Sequence, residues 1–119
     1  MSQSIRLSGD NYWDTVGIRG GRIITSAGGA ISASGGTREI TIPNSWRGIF
    51  FVFSPGSVTQ CLWLVNTNSS GVLNVTEVSG STLITYTATT NKLTISNSGG
   101  ASVYPYYISA TTNTVLSYE

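Results

Sequence analysis

The chain has 119 residues, with six basic and five acidic side chains, a net charge of +1, one cysteine and no histidine. That length makes one domain, and the near-cancelling charge excludes the basic footprint of a nucleic-acid binder and the polybasic segment of a membrane-surface protein. Without imidazole there is no Ser-His-Asp or Cys-His catalysis and no histidine metal site, and a lone thiol cannot build a thiolate zinc centre.

Taken in order, Met1-Ser2-Gln3-Ser4 carries neither the basic nor the apolar region of a secretory signal, so the chain is expected to be made and folded in a cytoplasm. No apolar run is long enough to span a bilayer as a helix. Short strands are expected near 3–7, 11–18 and 21–25. Gly9-Asp10-Asn11 punctuates the first two, with Asp10 as an Asx-turn residue. Asp10 and Asp14 are the close carboxylate pair. On one strand they would stand about 13 Å apart, beyond the roughly 6.5–9.5 Å of an inverting glycosidase. At a turn, Asp10 and Asn11 could instead offer oxygens to calcium. Residues 26–36 (SAGGAISASGG) read either as a flexible linker or as a packing segment whose small side chains let backbones approach.

From residue 37 onward, period two dominates. Over 37–42, Arg38, Ile40 and Ile42 share one face and Thr37, Glu39 and Thr41 the other. Ile49-Phe50-Phe51-Val52-Phe53 and Cys61-Leu62-Trp63-Leu64-Val65 are continuous apolar runs, too short for helices. Ser54-Pro55-Gly56-Ser57 between them is a turn. This predicts a central hairpin over 47–54 and 58–66 that is covered on both faces. A two-layer sandwich covers only one face of each strand. The second cover would then be the N-terminal segment or another subunit. Cys61 reads as a buried, inert thiol and Trp63 as core. Further strands are expected near 72–78, 82–88, 92–97, 102–110 and 114–118. Leu73, Val75, Leu93 and Ile95 should face inward, Glu77 breaks the pattern near its strand end, and Pro105 pushes its strand toward an edge. The fold expected is all-β: a single-domain antiparallel β-sandwich, jelly-roll-like, of about eight to ten short strands. Residues 1–36 would supply N-terminal strands and the small-residue segment, and 37–119 the sandwich body.

Aromatic residues beside turns are the remaining chemical signal. Trp46 and Arg47 follow Pro43-Asn44-Ser45, and Tyr104-Pro105-Tyr106-Tyr107 follows Gly99-Gly100. Flat rings among amides and hydroxyls suit neutral sugars, and they equally suit the capping of a sandwich core. Trp46, Arg47, Tyr104, Tyr106 and Tyr107 are therefore the candidate ligand-binding residues. No catalytic residue, metal site or cofactor is expected.

The segment Leu93-Thr94-Ile95-Ser96-Asn97-Ser98-Gly99-Gly100, with the Val103-Tyr104 strand after it, resembles the C-terminal tip domains of bacteriophage tail fibres and other virion appendages. The resemblance covers roughly 37–119 and extends to the Ser/Thr/Gly/Asn-rich, charge-poor texture. It implies a non-enzymatic virion domain, structural or receptor-binding, assembled as a homotrimer of β-sandwiches and binding host-surface glycans. A free lectin or carbohydrate-binding module is the alternative, and oligomeric state separates the two.

Overall fold

The structure, a computed structural model, describes residues 24–111 and 115–119. Nine strands run through the described residues: β1 (Thr25–Ser26), β2 (Gly36–Thr41), β3 (Arg47–Phe53), β4 (Gln60–Thr67), β5 (Leu73–Ser79), β6 (Ile84–Thr89), β7 (Lys92–Asn97), β8 (Tyr104–Ser109) and β9 (Ser117–Tyr118). The strands expected from residue 37 onward appear within about three residues of their expected bounds. Those at 3–7 and 11–18, most of 21–25, and Asp10 and Asp14 lie outside the described residues. No described helix is long and apolar enough to cross a membrane.

The strands form two antiparallel sheets, β1-β8-β3-β4-β5 and β6-β7-β2-β9. They make a β-sandwich, because each sheet has one apolar face to bury and the two faces meet. β3, β4 and β5 form a meander, and the chain returns as β8 beside β3. That is the spatial order of a Greek key, with the β6–β7 hairpin of the other sheet inserted in the return. The chain passes repeatedly between sheets, as in a jelly roll.

The core lies between Phe50, Val52, Trp63, Val65 and Tyr107 of one sheet and Ile40, Leu93 and Ile95 of the other. Trp46, Phe50 and Tyr107 form a ring cluster with centroids 5.5–6.2 Å apart. The Tyr107 hydroxyl accepts the Leu116 N–H at 2.8 Å and so ties the C-terminal segment to this cluster.

Residues 26–36 turn out to be a packing segment rather than a linker. Ala27 and Ile31 are core residues, and Ile31 bridges to Val103. The Arg38 guanidinium donates to the carbonyls of Ala27, Gly29 and Ala30 and lies over the Tyr118 ring. At Gly28, with φ 97°, an added Cβ would meet Arg38 Nη1 at 2.0 Å. The small residues let the arginine lie against the backbone.

The central hairpin has two apolar faces, as its sequence runs imply. Burial alternates strictly along β3, and Ile49, Phe51 and Leu64 are 37%, 41% and 44% exposed. The apolar runs fill the core with every second side chain and present the others outward, where no described residue covers them.

Pro105 sits where its missing donor costs least. Its carbonyl accepts the Ala27 N–H, so its nitrogen points the same way, off β3 and toward the edge, where β1 pairs over only two residues.

Candidate functional site

The register of β3 places three outward rows side by side. Ile49 lies between Ile108 of β8 and Leu64 of β4, Phe51 between Tyr106 and Leu62, and Phe53 between Tyr104 and Gln60. Each row is a set of directly opposed side chains about 5 Å apart. The rings order further: Phe51 stacks on Phe53 at 5.0 Å and 23°, and Phe53 on Tyr106 at 5.7 Å and 17°. Ile24 extends the patch past β8, and an open apolar groove of about 400 Å³ runs between Ile24, Ile49, Phe51, Leu62, Tyr106 and Ile108. Arg47, Gln60, Asn66 and Asn74 stand around this centre. An apolar, aromatic middle with a polar rim is the composition of a protein interface.

The other sheet supplies the contrast. Its outward positions are Thr37, Glu39 and Thr41 of β2, Lys92, Thr94 and Ser96 of β7, and Thr85, Thr87 and Thr89 of β6. Not one is apolar, and Glu39 pairs with Lys92 at 3.2 Å. One outer face of the sandwich is built for water and the other is not.

Comparison of the chain with protein-family models, with curated proteins and with solved structures gives no match. The face must be read from its own chemistry.

The five candidate residues are not brought together. Trp46 and Tyr107 are each 2% exposed and meet inside the core, 6.2 Å between centroids. Their faces are spent on packing, so neither ring offers a surface to a sugar. The Trp46 backbone is held from both sides: its backbone N–H donates to Thr67 Oγ1 and its carbonyl accepts the Thr67 N–H. Arg47, Tyr106 and Tyr104 do belong to the outward face. Arg47 sits at one end, and Tyr104 beside Phe53 at the other, roughly 20 Å along the strands.

Sequence reasoning passed over Ile49, Phe51, Leu62 and Leu64 as parts of a covered hairpin. Their signal was the second apolar face of the runs at 49–53 and 61–65. That Tyr106 and Ile108 would join them depends on β8 pairing with β3, which spans more than fifty residues of chain and leaves no local mark.

Cys61 lies on the inner side of the same sheet, 1% exposed. Burial pushes its thiol up to about 12. The nearby Glu77 charge adds to this, and a backbone hydrogen bond at Val52 works the other way. A thiol held neutral is no nucleophile. Among the described residues, no three His, Cys, Asp or Glu side chains gather in a way that could hold a metal ion.

Proposed function

We propose that this chain is a non-enzymatic assembly domain, of the virion-appendage kind its texture resembles, which packs the outward face of its five-stranded sheet against further copies of itself. The observation that carries this reading is the asymmetry of the two outer faces. Threonine, serine and the Glu39–Lys92 pair cover one, while Ile49, Phe51, Leu62, Leu64, Tyr106 and Ile108 cover the other in one register. A chain with so few charges has little else to keep such a face from associating. The rows run continuously across three strands, which suits a rigid β-surface of the same kind. In the virion context the assembly would be a trimer, and the domain would present loops or rings to a host-surface receptor.

Sedimentation equilibrium of the full chain tests the assembly. An oligomer at micromolar concentration that becomes monomeric in a Phe51→Glu, Leu64→Glu variant, with an unchanged circular dichroism spectrum, supports the reading. A wild-type monomer overturns it.

The near-parallel rings of Phe53 and Tyr106, with Tyr104 beside them, favour one second reading. They form a platform on which the C–H face of a sugar could stack, as in a free carbohydrate-binding module. A monomeric chain whose glycan binding is lost in Tyr106→Ala would move the assignment there.

A further inference from the structure

A different part of the molecule carries a second site. At one end of the sandwich the β3–β4, β5–β6 and β7–β8 loops converge on an opening between the sheets of about 240 Å³, lined by Ser54, Ser57, Thr59, Leu83, Val103 and the 99–101 loop. Ser54 follows Val52 on the inner face and is 4% exposed. Its Oγ has no hydrogen-bond partner among the described residues. A buried hydroxyl left unpaired is costly, and native proteins seldom keep one without a use.

The neighbouring polar groups are already engaged. Asn97 Nδ2 donates to the carbonyls of Ile31, Ser32 and Ala101, and its Oδ1 accepts the Gly99 N–H. Ser57 Oγ accepts the Thr59 N–H. These bonds fix the walls and leave the Ser54 hydroxyl as the group still to be satisfied.

The geometry points to a binding site for a small neutral polyol, about one sugar ring in size. Among the described residues no charged side chain lines the opening, which disfavours an ionic ligand. Leu83 and Val103 present apolar walls to C–H groups, while Ser54 and Thr59 offer hydroxyls. The volume is several times the roughly 30 Å³ share of one water and below the roughly 300 Å³ at which drug-sized pockets begin. The site shares no residue with the apolar face and does not depend on the assembly reading.

The test is titration of the isotope-labelled full chain with glycerol, glucose, galactose and N-acetylglucosamine, followed by amide NMR. A saturable shift of Ser54, Thr59, Gly99 and Gly100 with one of the pyranoses is expected. Ser54→Ala should weaken it by between about twofold and tenfold, the worth of one hydrogen bond, without loss of thermal stability, since no protein partner is lost. Leu83→Ala, at a half-exposed wall, should weaken it as well and serves if Ser54→Ala fails to fold. No saturable shift with any probe, shifts confined to Phe53 and Tyr106, or unchanged affinity in both variants would overturn the assignment.

Discussion

Gly48 faces the core beneath the Trp46 indole. A Cβ built there would meet Trp46 Cη2 at 2.3 Å and the Ile108 carbonyl oxygen at 2.4 Å. One of the two obstacles is backbone, so the clash cannot be relieved by a rotamer change. Gly48→Ala is expected to destabilise by about 1–3 kcal/mol, the usual cost of overpacking, as read from urea denaturation. Cys61 makes a second residue-scale prediction. Its thiol titrates near 12 when folded and near 8.5 when unfolded. The folded chain therefore holds the proton more tightly. The stability this gives is complete below about pH 8.5 and is lost progressively as pH rises toward 12. Wild type should lose stability in that window more steeply than Cys61→Ala, by denaturant midpoint, and the native thiol should resist alkylation at pH 8. Sequence had placed Cys61 and Trp63 in the core correctly, because both sit on the inward phase of an apolar run. It left Trp46 open between core and ligand, since a tryptophan after a turn can point either way.

At the scale of elements, strand positions followed from period two and from turn residues, both local properties. Leu93 and Ile95 of β7 alternate with Lys92, Thr94 and Ser96 in sequence and in space. Asn68 closes the β4–β5 turn by accepting the Ser70 and Val72 N–H groups on its Oδ1, the Asx behaviour that makes such residues legible. Asn97 is the exception. It ends β7 inside the protein, 1% exposed, and staples the 31–32 and 99–101 backbones to the strand end. Sequence marks it only as a polar residue before Ser98-Gly99-Gly100. Asn97→Ala should cost about 1–3 kcal/mol, because it removes the donor to the Ile31, Ser32 and Ala101 carbonyls and the buried acceptor of the Gly99 N–H. Hydrogen exchange should show lost protection at the Gly99 amide before the β3–β4 hairpin opens. β5 shows how an element ends: Glu77 lies opposite Trp63, and the register slips beside it. The carboxylate thus reaches water at the sheet edge rather than entering the core.

At the scale of the whole molecule, the two outer faces predict how association responds to solvent. Among the described residues, the centre of the proposed interface holds no ion pair, and the rim holds the single cation Arg47. Raising sodium chloride from 50 mM to 500 mM should leave the association constant nearly unchanged, since there is little charge to screen. Ammonium sulfate should tighten it, because excluded salts strengthen apolar burial. Sedimentation across both series checks this, and a steep weakening in sodium chloride would mean that charges drive the contact. Phe51→Glu should abolish the sulfate response while leaving the fold intact, because Phe51 already meets solvent in the protomer.

Sequence by itself determined the all-β class, the approximate strands of residues 37–119, the interior place of Cys61 and Trp63 and the lack of histidine chemistry. These rest on composition and on patterns that repeat within a few residues, which local sterics and face-by-face burial impose. It also detected an excess of apolar residues in the central hairpin. Only the tertiary structure decided where that excess goes. The pairing of β8 with β3 joins Tyr106 and Ile108 to Phe51 and Ile49 as one face and packs Tyr107 against Trp46 in the core, and beyond the end of β3 the Ser54 hydroxyl has no partner among the described residues. Long-range strand pairing depends on which apolar faces can meet after the chain has crossed between sheets. No window of the sequence contains that information.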